Sequence, residues 1–410
     1  MDRPLPRSPW VPFSAVAVGT FMATVDGSIV NVALPTMRTE LGTTIGGAEW
    51  IVTAYLLTVT FCLLLAGRLG DEAGHRRVFT GGLLVFTLGS GLCGAAPGLP
   101  SLVGARVVQA LGASAMMAMG PAVVTALFPV TLRGRALGAV TSVVAVGLTA
   151  GPPLGGFLVE HLSWRWVFLV NLPIGVAGAI WAARVLPPLL PEPGHRRSPL
   201  VDLSLFSRRT FRLGILAGFL SYASLFTATL LNPFFLAERM GLGPRELGAM
   251  MMIVPLALSV ASPVAGWLAD RFPRSAPGAA GMLLVAGGLG GLALLPPGSS
   301  LLSFGVRQAA LGLGMGLFQP PNNSAVMGAL PRERLGAGGG LLAIARNGGM
   351  VLGIAAAGAL FRWRAGPAPD AAAFHAGYRG ALLFGAALAL AAGLLSALAP
   401  GGPAPAHPAR

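Results

Sequence analysis

Asp26 is the residue whose type and position together demand chemistry. Of 14 acidic residues, it alone sits well inside an apolar stretch. A carboxylate so placed must be paired, protonated or supplied with donors, because a bare charge in hydrocarbon is costly. Arg106 is its candidate partner, one of three arginines (with Arg307 and Arg346) inside apolar stretches. Counted at 1.5 Å per helical residue from Leu34 and Ser101, Asp26 and Arg106 lie roughly 12 and 8 Å below one surface. Such a pair can pass protons, or it can simply hold helices together.

Other chemistries are missing. All 28 basic residues are arginine, so no lysine is available for a Walker A loop or a Schiff base. ATP-driven pumping within this chain is thereby excluded. His75, His161, His195, His375 and His407 are scattered singly in loops or the tail, and no metal site is visible. Cys62 and Cys93 fall in apolar stretches and form no disulfide framework. No nucleophile–base pair appears, so neither an enzyme nor a cofactor is expected.

The elements that must position Asp26 and Arg106 are membrane helices. The chain has 410 residues, 54% apolar and only 10% charged, against about 25% charged in soluble domains. Apolar stretches long enough to span a bilayer recur twelve times. They lie at about 13–34, 48–66, 78–96, 101–126, 136–159, 166–186, 211–236, 247–269, 276–295, 300–327, 336–360 and 377–398. The first is too long for a signal-peptide core and reads as a span. Pro97-Gly98-Leu99-Pro100, Pro187-Pro188 and Pro296-Pro297-Gly298 mark breaks. A polar linker at 187–210 separates an N-terminal lobe, 1–186, from a C-terminal lobe, 211–398, and a Pro/Ala-rich tail at 399–410 is expected to be disordered.

The net charge of +14 invites a nucleic-acid reading, but the arginines alternate with the loops. With the N-terminus inside, 18 arginines fall on inner segments, among them Arg3, Arg7, Arg68, Arg133, Arg332 and Arg410, against 7 outside. That bias predicts cytoplasmic termini in the inner (plasma) membrane, and no nucleic-acid partner. The halves also repeat. Gly67-Arg68-Leu69-Gly70-Asp71 is echoed by Gly266-Trp267-Leu268-Ala269-Asp270 at an offset of 199 residues. Arg106 is echoed by Arg307 at 201, and Arg133-Gly134-Arg135 by Arg332-Glu333-Arg334 at 199. The fold expected is all-α, with twelve transmembrane helices in two six-helix lobes.

Gly67-Arg68-Leu69-Gly70-Asp71-Glu72-Ala73-Gly74-His75-Arg76-Arg77 resembles the signature cytoplasmic loop of the major facilitator superfamily. Glu72 and His75 depart from its usual basic residues. The resemblance implies a conformational latch built from Gly67, Gly70, Asp71, Gly74, Arg76 and Arg77, whose acid is released as the lobes rock. Gly147-Leu148-Thr149-Ala150-Gly151-Pro152-Pro153-Leu154-Gly155-Gly156 looks like the family's antiporter motif. Its glycines at 147, 151 and 155 make one groove for a neighbouring helix, while Pro152 favours a kink. Thr24-Val25-Asp26 through Pro35, and Arg106 with Gln109, Ala110 and Gly112, are similar to first- and fourth-helix motifs of the drug:proton antiporters of the EmrB/QacA type. Trp164-Arg165-Trp166, with Asn171 and Pro173, matches the branch's sixth helix and reads as an interfacial anchor without chemistry. The branch often has fourteen spans, and the two extra helices are absent here.

The resemblance implies a proton-coupled efflux antiporter of small lipophilic compounds such as drugs or antibiotics, acting as a monomer. Protons would load at Asp26, with Arg106 serving coupling. Met22, Asn31 and Arg346 are candidate substrate-cavity residues, methionine offering an adaptable apolar surface or plain core filling. Proton-coupled uptake of a metabolite, and a transporter-like sensor without flux, are the alternative readings.

Overall fold

The computed structural model describes residues 8–188, 203–271, 275–296, 298–331, 334–366 and 369–399. Among these, twelve helices are long and apolar enough to cross a membrane. They are α1 Trp10–Glu40, α2 Ile45–Ala73, α3 His75–Gly94, α4 Leu99–Leu127, α5 Thr131–His161, α6 Trp166–Val185, α7 Arg209–Arg239, α8 Pro244–Ala269, α9 Ser275–Ala293, α10 Leu301–Gly328, α11 Ala337–Ala365 and α12 Ala371–Leu398. Helices are what a bilayer allows, since each satisfies its own backbone hydrogen bonds.

Helix ends follow local chemistry. Thr44 Oγ1 accepts from Gly47 N at 3.1 Å to start α2, and Ser300 Oγ accepts from Ser303 N at 3.2 Å to start α10. Asp370 Oδ1 accepts from Ala373 N at 2.7 Å to start α12. α6 is interrupted at Val170, α7 finishes in a π-helical turn over Phe235–Arg239, and α8 is interrupted at Met252.

Two features differ from the sequence reading. The stretch Gly67–Arg77 is hardly a loop: α2 continues through Ala73, α3 begins at His75, and only Gly74 lies between them. Gly74 takes φ 91°, a left-handed value open to glycine, and its N–H bonds Gly70 O at 3.0 Å. Nothing before it stops the helix. The end of the expected linker is also ordered. Leu203–Ser207 forms a 3₁₀ turn, and Leu205 is buried against Phe211, Val326 and Leu330. Residues 189–202, most of the linker, and 400–410, nearly all of the tail, lie outside the described residues, as do Arg3, Arg7, Arg332 and Arg410.

The chain forms two compact units. One holds α1–α6 together with Gly243–Ala249; the other holds α7, the rest of α8 and α9–α12. The first unit's core is a cluster around Phe79, Phe86, Met116, Met119 and Phe128. Within that unit α3 and α4 pack backbone to backbone, for a Cβ on Gly89 would stand 2.5 Å from Gln109 Cα. That contact fixes where Gln109 points.

Candidate functional site

Asp26 and Arg106 meet in the first unit. α1 presents Asp26 and α4 presents Arg106, whose Nη1 donates to Asp26 Oδ2 at 2.7 Å. Asp26 is 0% and Arg106 1% exposed. Burying two charges costs several kcal/mol per ion unless remaining donors and lone pairs are met, and here they are. Gln109 Nε2 donates to Asp26 Oδ1 at 2.7 Å, and Asn171 Nδ2 donates to the same oxygen at 3.4 Å. Arg106 also donates from Nε to Ile51 O at 3.1 Å and from Nη1 to Gln109 Oε1 at 2.5 Å. Its guanidinium lies 4.1 Å from the Tyr55 ring centroid. Gln109 Nε2 reaches Ser90 Oγ at 2.8 Å, and Cys93 Sγ donates to Gln109 Oε1 at 3.7 Å.

Five helices therefore feed one polar centre inside an apolar bundle. The arrangement holds one carboxylate, one fixed cation and neutral amides that donate and accept. If Asp26 took a proton, Arg106 would keep Ile51 O and Gln109 Oε1 as acceptors. The network can thus change charge by one without stranding the arginine entirely.

The sequence reading singles out Asp26 and Arg106, which the structure brings together, but not Asn171, which joins them. The reading of the Trp164 to Pro173 stretch as an interfacial anchor is corrected in two ways. Trp164 is fully buried, donating from Nε1 to Glu40 Oε2 at 2.8 Å, with Arg165 Nη1 4.0 Å from the same oxygen. Asn171 is 2% exposed, directed at Asp26. Only Trp166, 44% exposed, has an anchor's setting. The available signal was an asparagine in a helix whose other polar residue, Arg184, lies in its last turn.

The glycines of α5 lie along α1. A Cβ on Gly147 would stand 3.0 Å from Thr24 Cβ, one on Gly151 would strike Ser28 Oγ, and one on Gly155 would lie 2.9 Å from Ile29 O. Ser28 sits in the groove and donates to Gly147 O at 3.4 Å. A Cβ on Gly156 would stand 3.0 Å from Arg245 Cα, and the Pro152 carbonyl leaves no room for one on Gly248. A matching groove in the second unit escaped the sequence reading: Gly349 and Gly353 of α11, 198 residues after Gly151 and Gly155, abut Phe219 O and Ala223 O of α7.

The remaining candidates fall elsewhere. Asp71 is 74% exposed, with its carboxylate 3.9 Å from His75 Nε2. Gly70 is buried against Met119, and Arg76 Nη2 donates to Ala183 O. Gly67 has open space around it. Met22, expected to line a cavity, is 1% exposed and belongs to the first unit's core, close to Gly175. An unbranched side chain suits that irregular gap. Asn31 is 8% exposed and donates to Gly27 O at 3.2 Å. Arg346, half-buried in α11, donates to the Oδ1 of its neighbour Asn347 at 3.4 Å. Among the described residues, no group of three or more His, Cys, Asp or Glu is placed to hold a metal.

Comparison with known proteins supplies relatives. A family model described as Major Facilitator Superfamily matches residues 16–354. The riboflavin transporter RibZ of Clostridioides difficile is 32% identical over 314 residues, 65% of this chain and 69% of RibZ. The multidrug resistance protein Stp of Mycobacterium tuberculosis is 31% identical over 330 residues, 67% of this chain and 62% of Stp. A crystal structure of a bacterial homologue of the human lysosomal transporter Spinster superposes with a TM-score of 0.78 at 16% identity, covering 97% of this chain and 98% of that one.

Proposed function

Because the chain belongs to the major facilitator superfamily, we propose that it is a proton-coupled exporter of small lipophilic compounds, with Asp26 as the proton carrier. The observation that carries this reading is the buried centre around Asp26, in which a carboxylate, a guanidinium and two amides are mutually bonded. A membrane helix bundle needs no such charge for stability, and intramembrane charges mark proton and ion pathways. Protonation would cancel the attraction between Asp26 and Arg106, loosening α1 from α4. Loss of that proton on the other side would restore the pair. Alternating access follows if the two states of this centre favour opposite openings.

The glycine groove between α5 and α1 supports export by its likeness to the antiporter motif. It also couples the proton site to α5, because Ser28 in the groove lies on α1 two residues after Asp26. The exposed Asp71, next to His75 at the α2–α3 corner, is proposed as the cytoplasmic latch. A transporter acting by this scheme works as a monomer in the cell membrane with both termini inside.

RibZ, named as a riboflavin transporter, favours a second reading: movement of a planar, water-soluble metabolite instead of a drug. One experiment separates them. A pump-deficient host expressing the protein is scored for resistance to a panel of lipophilic dyes and antibiotics, and everted vesicles are assayed for acid-driven uptake of the same compounds and of riboflavin. Acid-driven accumulation of dyes in everted vesicles supports export. Riboflavin flux without any dye flux overturns it.

A further inference from the structure

Three arginines of the second unit meet at one cavity. Arg239 ends α7, Arg364 lies in the last turn of α11, and Arg379 lies in the third turn of α12. They line a cavity of about 1240 Å³, closed on another side by the α9–α10 connection. Among the described residues none of the three guanidinium groups has a hydrogen bond or ion pair to the protein. No carboxylate lines the cavity among the described residues, and nearby Asp370 caps the N-terminus of α12. Like charges drawn from three helices repel one another unless an anion offsets them. In the topology proposed above, these are three of the seven arginines that depart from the positive-inside rule.

Apart from His375, Ser299 and Ser300, the rest of the cavity lining is apolar. Phe235 stacks on Tyr378 at 4.4 Å between ring centroids, and the Tyr378 hydroxyl donates to Asn232 Oδ1 at 2.8 Å. The floor is therefore fixed. Leu301 and Leu383 line the cavity and are 41% and 39% exposed. A cationic rim on an apolar wall fits an amphiphilic anion, and guanidinium groups match phosphate oxygens in bidentate geometry.

We propose that this cavity is a lipid site: Arg239, Arg364 and Arg379 hold the phosphate of an anionic phospholipid whose acyl chains run along Leu301 and Leu383. A soluble phosphate would use the arginines alone and leave the apolar wall bare, which is why the lipid is preferred.

The test uses the purified full-length protein in detergent. Thermal unfolding is followed while phosphatidylglycerol, phosphatidylcholine or inorganic phosphate is added, and native mass spectrometry counts retained lipid. The expected result is a saturable rise in melting temperature with phosphatidylglycerol only, and retained phosphatidylglycerol. Arg239→Gln with Arg379→Gln should weaken apparent affinity about fivefold per arginine removed, whereas Arg184→Gln, on an exposed site of α6 in the other unit, should not. Equal shifts with phosphatidylcholine would overturn headgroup recognition. Equal shifts with inorganic phosphate would reassign the site to a soluble anion. Unchanged selectivity in the double variant would place lipid binding elsewhere.

Discussion

Arg106 and Arg307 stand 201 residues apart at matching points of α4 and α10, yet their surroundings differ. Arg106 is fully buried and faces the Asp26 carboxylate, the Gln109 amide oxygen, Ile51 O and the Tyr55 ring. Arg307 is part-buried and spends its donors on Gly291 O, at 2.9 Å, and on Ser303, its O at 2.6 Å and its Oγ. Its sequence neighbour Gln308 is buried and, among the described residues, donates only to Met251 Sδ, at 3.9 Å. The glycine grooves, in contrast, match: α5 against α1 in one unit, α11 against α7 in the other. The groove packing thus occurs in both units and the buried Asp–Arg pair in one. Packing that appears twice is scaffold, while the charge that appears once is the candidate for energy coupling.

Deleting the two arginines probes that contrast most strongly. Arg106→Met strands Asp26, so unfolding in detergent should lose about 3–5 kcal/mol. Arg307→Met removes a group bonded to carbonyls that also serve their helices, and should lose about 1 kcal/mol. Equal losses would mean the two arginines are alike and the comparison fails.

The grooves come next. Gly151→Leu drives a side chain into Ser28 and Val25 O, and Gly349→Leu into Phe219 O, and each should lower stability by about 1–3 kcal/mol and abolish transport. Gly290→Leu, facing open space in α9, is the control and should behave as wild type. A harmless Gly349→Leu would confine the groove's role to the first unit.

Around Asp26, effects should follow bond quality. Gln109→Ala removes a 2.7 Å donor to Asp26 and the acceptor of Arg106, and should reduce coupled transport about tenfold or more. Asn171→Ala removes a 3.4 Å contact, with a loss below about 1 kcal/mol and a transport defect of a few fold. The reverse order would contradict the geometry described for Asp26. Asp71→Asn, at an exposed corner, should leave stability within about 0.5 kcal/mol while slowing transport. Unchanged transport there would leave the α2–α3 corner a topological feature alone.

Much of this was legible in sequence for physical reasons. Twelve apolar stretches must become helices in a bilayer, and their number needed no tertiary information. Asp26 and Arg106 stood out because charges inside spans are rare. Asn171 did not, since an uncharged amide blends into a helix containing Trp166 and Trp181 and its bond depends on how α6 turns. Met22 fills the core, the second of its two readings, since periodicity says which side of α1 faces inward but not whether α6 or open space lies opposite. The corner at Gly74 looked like a longer loop because its glycines at 67 and 70 are helical, the second pressed against Met119. The second groove, at Gly349 and Gly353, lies at an offset of 198, one residue short of the 199 given by the loops, so it needed the repeat applied to α5 with one residue of slack.

The central claim is that Asp26 carries the proton, and its direct test is coupled flux through Asp26→Asn. Wild-type and variant protein are reconstituted into liposomes with an imposed pH gradient, and substrate flux is recorded beside proton flux. Asn keeps the shape and can still bond Gln109, but it removes the charge that pairs with Arg106. The account predicts that gradient-driven transport and substrate-linked proton flux both vanish in the variant, while the protein stays folded. Substrate and protons still moving together at the wild-type ratio would contradict it.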